Sequence, residues 1–172
     1  MVLSSARWMA LALGLSAGTA LAQTTSSYLI PIGAPIGVEV ARKAAAAAVA
    51  EAKKNGWFMA VAVVDPGGTL VYFERMDHVQ MGSIAVAQGK ARSAALYKRP
   101  SKAFQDAVAG GGVGIRVLGL EGAVPLEGGL PIVVDGKLIG AIGLSGDLSE
   151  NDGKCAAAGV AAIASSPAAP AK

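Results

Sequence analysis

The sequence predicts a single α+β domain in which helices cover an antiparallel sheet. Two β-prone runs, 57–65 and 69–75, are separated only by the turn residues Pro66-Gly67-Gly68. A second such pair lies within 130–146, joined by Asp135-Gly136, a strong short signal for a hairpin. Connections this short make antiparallel neighbours, because a parallel pair needs a long crossover. Alanine-rich segments with helical spacing precede, separate and follow the two pairs, giving the order helix, hairpin, helices, hairpin, helix.

The elements follow in chain order. Residues 1–22 read as an export signal: Arg7 supplies positive charge, WMALALGL (8–15) is a short apolar core, and Ala20-Leu21-Ala22 is a small-x-small cleavage site. A membrane anchor fits less well, since the apolar stretch is short and Gly14 and Gly18 interrupt it. Residues 23–35 are expected to be an extended entry segment, 36–164 the domain, and 165–172 a frayed tail.

A first helix is expected over 36–54, with an apolar stripe of Ile36, Val40, Ala44, Ala47 and Ala48, closed by Asn55-Gly56. WFMAVAVVD (57–65) is a continuous run suited to burial on both faces, whereas TLVYFER (69–75) alternates more. Residues 83–97 read as a helix capped by Ser83, with a small-residue stripe of Ile84, Ala87, Ala91, Ala94 and Ala95. A shorter helix, 102–109, follows Ser101 and ends at the glycine run 110–114; residues 115–128 look irregular. The last helix, 148–164, has Ser149 as N-cap, with Glu150 and Asp152 suiting its first turn.

Composition narrows the function. Hydrophobic residues make up 53% of the 172 and charged residues only 16%, enough apolar material for a core. Loss of residues 1–22 would remove one charge, Arg7, taking the net charge from +3 to +2. The Lys53-Lys54 and Lys98-Arg99 pairs suit helix ends, and no basic stripe marks a nucleic-acid partner. Cys155 is the only cysteine, so an internal disulfide is excluded; its alanine-rich setting points to burial.

Several motifs fail on spacing. GGGVGI (110–115) lacks G-x-G-x-x-G and follows a helix rather than a strand. There is no Gly-Lys-Ser/Thr loop, and GLSGD (143–147) is not G-x-S-x-G. One histidine and one cysteine do not make a structural zinc site.

What remains is a set of polar residues at strand-to-loop corners. Arg75, Asp77 and His78 follow the first hairpin, Glu127 with Gly128-Gly129 precedes the second, and Ser145, Gly146 and Asp147 follow it. If the hairpins are neighbours, these corners share one end of the sheet. Arg75 and Asp77 read equally well as a turn ion pair, and Ser145-Gly146 as a turn into a helix start. His78, the only histidine, is either a solvated loop residue or an axial ligand to a haem iron or corrinoid cobalt. In the second case the macrocycle supplies four ligands itself. Tyr72, Tyr97, Met76 and Met81 are alternative axial ligands.

Three stretches carry a family resemblance: AVVDPGGTLVYFERMDHVQMGSIAVAQGKARSAA (62–95), KRPSKAF (98–104) and GAVPLEGGLPIVVDGKLIGAIGLSGDLSENDGKCAAAGVAAI (122–163). V-D-x-G-G with R-M-D, then G-G-x-P-I-x-x-D-G-x-x-x-G-x-I-G-x-S-G, resembles the GlcG/HbpS-like haem-binding (haem-degrading domain) family over Val38 to Ile163. The resemblance implies a five-stranded antiparallel sheet flanked by helices, in profilin-like layers. It also implies assembly into dimers or larger homo-oligomers such as octamers. One branch of the family is secreted and binds haem beside a membrane sensor kinase, a second binds haem or a corrinoid, and a third is known from a glycolate-use operon.

With the export signal, the leading expectation is a periplasmic or secreted haem-binding protein with a role in haem degradation, iron handling or redox sensing. His78 or a tyrosine would ligate iron, and Arg75 or Lys90 would pair with propionates. Glu127 and Ser145 complete the candidate site, the backbone near Ser145 being able to hold a propionate. The alternatives are a protein acting on a small organic acid, with Arg75 as clamp and Glu127 or Asp147 as acid/base, and an oligomeric signalling module without cofactor.

Overall fold

The computed structural model describes residues 29–164. The export signal, the first six residues of the entry segment and the tail 165–172 lie outside the described residues.

The chain folds as α1 (Val38–Asn55), β1 (Ala60–Val64), β2 (Leu70–Arg75), α2 (Gly82–Tyr97), α3 (Lys102–Ala109), a 3-10 helix (Gly112–Gly119), β3 (Gly129–Val134), β4 (Lys137–Ser145) and α4 (Ser149–Ala164). Both expected hairpins are present, and they join through their inner strands in the sheet order β2-β1-β4-β3, antiparallel throughout. The Asp135-Gly136 turn is left-handed at both residues, with φ of 49° and 71°, as a two-residue hairpin needs to match strand twist.

Among the described residues the sheet has four strands, not five. The entry segment adds one isolated parallel bridge, Ile32 to Leu138 of β4, a strand whose two sides are otherwise taken by β1 and β3. Gly33 N–H donates to Leu138 O and Leu138 N–H to Pro31 O, each at 2.8 Å. Pro31 and Pro35 flank this contact, and neither has an N–H to extend a ladder.

Alternation along β1 explains the layers. Val61 and Val63 face α1 and α4, in a core with Ala44, Ala48, Ile142, Leu144 and Cys155. Ala60, Ala62 and Val64 face the opposite way, against Ala87, Ala91, Ala94 and Ala95 of α2. Every residue of β1 is therefore buried, as the unbroken apolar run implied. The α2 face is built from small residues because the helix lies very close to the sheet. A Cβ at Gly143 would collide with the Ala87 carbonyl and the Ala91 amide.

Several expectations are corrected. α1 starts at Val38, and its buried stripe is Ala41, Ala44, Ala45, Ala48, Val49 and Ala52. The phase slipped because a run of alanines carries almost no periodic contrast. Gly56, with φ of 74°, closes the helix as expected. Ser83 does not cap α2. It lies inside the helix, buried, while Met81 occupies the cap position. Ser149 is the first residue of α4 rather than a residue before it. The end of the glycine run and the start of the stretch read as irregular, 115–128, form a 3-10 helix, Gly112–Gly119.

Candidate functional site

The strand corners do share one end of the sheet. Ala60 pairs with Arg75 on one side and Ser145 on the other, and Gly129 pairs with Gly143. Side-chain packing then divides them into a surface cleft and a closed interior cluster.

The cleft, of about 480 Å³, is walled by Lys53, Phe58 and the corner Glu74–His78. The segment before β1 is strapped to the corner by two contacts: Met76 N–H donates to Met59 O at 3.0 Å, and Met59 N–H to Met76 Sδ at 3.4 Å. Val79 anchors the far side of the loop in the core. Between these anchors the chain turns through His78 with φ of 68°, a left-handed conformation that histidine tolerates better than most residues. The imidazole is turned outward and its ring meets Phe58 edge-on, with centroids 5.6 Å apart and planes at 79°. Arg75 donates to Met81 Sδ at 3.3 Å rather than pairing with Asp77. The cleft thus combines an exposed imidazole, a half-exposed aromatic face, a thioether, the two cations Lys53 and Arg75 and the two carboxylates Glu74 and Asp77.

Lys90 does not reach this cleft. It is 1% exposed, and its Nζ lies 2.6 Å from Asp152 Oδ2, which is equally buried. Burial pushes the Asp152 carboxyl up, and Lys90 opposes that shift. Asp152 Oδ1 also accepts the Asp147 N–H at 3.3 Å. Gly128 and Gly129 close over the pair. Gly128 has φ of 126°, and a Cβ there would come within 2.9 Å of Lys90 Nζ and 2.8 Å of Asp152 Cβ. A Cβ on Gly129 would collide with the Lys90 carbonyl. Ser101, also buried, accepts the Gly129 N–H at 2.8 Å and donates to Leu126 O at 2.6 Å.

Ser145 is buried and hydrogen-bonds Ser83 Oγ at 3.1 Å, so it is a packing contact between β4 and α2. Glu127 lies on the interior side of the same end of the sheet. Its N–H donates to Gln105 Oε1 at 2.8 Å, and its carboxylate packs against Gly153 of α4. Asp147 accepts from the Leu148 N–H at 2.8 Å and the Asn151 amide at 2.7 Å; these bonds, Asn151 first, hold its carboxyl below the usual range. Neither Glu127 nor Asp147 is among the residues that line the Arg75 cleft. Of the five candidates, the structure gathers Arg75 and His78 and leaves Lys90, Glu127 and Ser145 elsewhere.

Sequence reasoning placed Phe58 in a strand and Lys53 at a helix end, and so missed both as cleft walls. It also read Asp152 only as a helix-dipole residue. A signal was present: Asp152 shares a helical face with Cys155, Ala156 and Gly159, and Lys90 lies beside Ala87, Ala91 and Ala94. A lone charge on an apolar stripe needs a buried partner of opposite sign.

The model of the family described as "Haem degrading protein HbpS-like" matches residues 36–161. The chain belongs to this family. It is 42% identical over 100 residues to Protein GlcG of Escherichia coli (strain K12), covering 58% of this chain and 73% of that one. Among solved structures it is similar to a PduOC–haem complex, with a TM-score of 0.68 and 29% identity over 75% of this chain and 95% of that one. It is similar also to a double mutant of Streptomyces reticuli HbpS, with a TM-score of 0.70 and 29% identity over 90% and 99% of the two chains.

Proposed function

We propose that this protein binds haem in the cleft between Phe58 and the Arg75–His78 corner, with His78 as axial ligand and Arg75 and Lys53 pairing with the propionates. The outward imidazole of His78, held edge-on against Phe58 on the cleft wall, carries the reading. Family membership and the likeness to the PduOC–haem complex support it.

The residues suit the group. A neutral imidazole is a good ligand for haem iron, Phe58 and Met76 offer apolar surface to a macrocycle, and Lys53 and Arg75 can pair with propionates that keep clear of Glu74 and Asp77 on the same wall. When bound, haem would supply the iron and its redox chemistry. The chain's own part is to offer the His78 nitrogen, exclude water with Phe58 and orient the edge with Arg75. The cleft argues for binding; degradation, iron handling and sensing would be built on that step.

We read residues 1–22 as a cleaved leader and the mature protein as periplasmic or secreted, where haem from outside is met. We also read it as a homo-oligomer, since the 3-10 segment leaves Val113 83% and Leu118 62% exposed. A membrane sensor partner is consistent with that placement.

Absorption titration of the purified protein with haemin, beside a corrinoid control, tests the reading. A saturable one-to-one Soret shift, lost in His78→Ala, is expected. No shift, or a shift unchanged by His78→Ala, overturns it.

A further inference from the structure

The stretch Val64-Asp65-Pro66-Gly67-Gly68 takes no part in the His78 cleft. It forms the turn at the opposite end of the β1–β2 hairpin, since Ala60 pairs with Arg75 while Val64 pairs with Leu70. At about 3.3 Å per residue the strand between them spans roughly 17 Å, so the two places are independent.

A second cleft, of about 400 Å³, opens between this turn and α2, with Gly67, Gly68, Thr69, Gln88 and Arg92 around it. That volume falls within the range of small-molecule sites, about 300–1,000 Å³. The turn satisfies itself from within. Asp65 N–H donates to Thr69 O at 2.9 Å, Gly68 N–H to Asp65 O at 3.0 Å, and Thr69 N–H to Asp65 Oδ1 at 2.9 Å.

Gly68 is buried with φ of 80°, and a Cβ there would meet Arg92 Cγ at 3.5 Å. The stems of Arg92 and Leu96 thus lie in van der Waals range of the turn, and it is the positive φ that calls for glycine there. Gln88 and Arg92 are one helical turn apart and share a face of α2. Arg92 has no carboxylate at ion-pair distance among the described residues, where the pairs are Lys54–Glu51, Lys90–Asp152 and Lys102–Asp106. An exposed guanidinium without an ion-pair carboxylate, beside the Thr69 hydroxyl and the Gln88 amide, whose Nε2 also donates to Ile84 O at 3.3 Å, offers hydrogen-bond donors to an oxyanion.

We infer that this second cleft binds a small monocarboxylate, with both its oxygens on the Arg92 guanidinium and Gln88 and Thr69 beside it. The planar fork matches a carboxylate in two parallel hydrogen bonds. The single Arg92 cation matches one negative charge, and the Asp65 carboxylate in the adjoining turn weighs further against a phosphate dianion.

The test is a titration of the ¹⁵N-labelled protein with sodium acetate, read at the Arg92 Nε–H and the Gly67 and Gly68 amides, with sodium chloride and inorganic phosphate at matched ionic strength. Saturable shifts with acetate in the millimolar range are expected, weakened about tenfold or more in Arg92→Met and only partly restored in Arg92→Lys, which keeps the charge but not the fork. Gln88→Leu, a milder change on the same face, should weaken acetate to a smaller degree. Haemin binding should persist in Arg92→Met, and the acetate response should persist in His78→Ala, so failure of the haem reading would leave this one standing. Linear shifts, equal shifts with chloride, tighter saturation by phosphate, or an acetate response untouched by Arg92→Met would each overturn the assignment.

Discussion

Lys90 of α2 and Asp152 of α4 meet across the end of the sheet at 2.6 Å, each about 1% exposed and roofed by Gly128 and Gly129. The pair ties together two helices that lie on opposite faces of the sheet. Taking one partner away leaves a buried charge without compensation, which costs about 3–5 kcal/mol, whereas replacing both by apolar residues costs far less. Urea unfolding should show Lys90→Met and Asp152→Leu each strongly destabilised and the double variant destabilised by much less than the sum of the two losses. Additive losses would mean that the pair does not couple the two helices.

The glycine roof should be intolerant. Gly129→Ala drives a methyl group into the Lys90 carbonyl, and Gly128→Ala combines strain at φ of 126° with contact on Asp152. Each is expected to cost more than about 3 kcal/mol, because backbone, not a flexible side chain, must give way. Thermal unfolding of Gly136→Ala serves as the comparison: its φ is also positive, but a Cβ there meets nothing within 4 Å, so only strain is paid.

His78 should separate binding from folding. Asparagine accepts a left-handed backbone, so His78→Asn should change stability by no more than about 1 kcal/mol, chiefly the lost edge contact with Phe58. Haemin affinity should nevertheless fall sharply in the Soret titration. Equal affinity in a well-folded His78→Asn protein would move the axial ligand elsewhere.

Asp147 gives a dependence on acid. Its carboxyl is held below the usual value of 3.8 by the Asn151 amide and the Leu148 N–H. A depressed carboxyl contributes stability that is complete above the unfolded value and is lost as pH falls through the folded one. The melting-temperature gap between the native protein and Asp147→Ala should be open at neutral pH and should close as pH falls below the usual carboxylate value. A gap that stays constant with pH would deny the carboxylate this role.

Burial pushes the Cys155 thiol up to about 11. The thiolate is the reactive form, so iodoacetamide at mildly alkaline pH should label the folded protein far more slowly than protein in urea. Equal rates would show that α4 opens readily from its seat on α1.

The hairpins were legible because their signals are local: Pro66-Gly67-Gly68 and Asp135-Gly136 fix a turn within a few residues. The pairing of β1 with β4 was only conditional in the sequence, since no local feature states which strand lies next to which. The fifth strand came from the family resemblance alone; outside the four strands the described residues add only the isolated Ile32–Leu138 bridge. Arg75 and His78 were visible as neighbours in one loop, and the structure keeps them on one wall. Lys90 looked available for a propionate because a lysine at one position of a helix gives no hint of direction when its neighbours are alanines. Its true partner lies 62 positions away, and only the apolar stripe around each charge marked the pair.

The central pairing of β1 with β4 also governs when the protein can exist as a folded object. β1 is made early and β4 late, yet β1 gives every residue to the interior and reaches its second neighbour only when Lys137–Ser145 has been synthesised. α1 likewise waits for α4. Closing such distant contacts carries its entropy cost before any reward arrives. A nascent chain that stops before β4 therefore holds two unmatched halves of a core, so folding is deferred until nearly the whole polypeptide has left the ribosome.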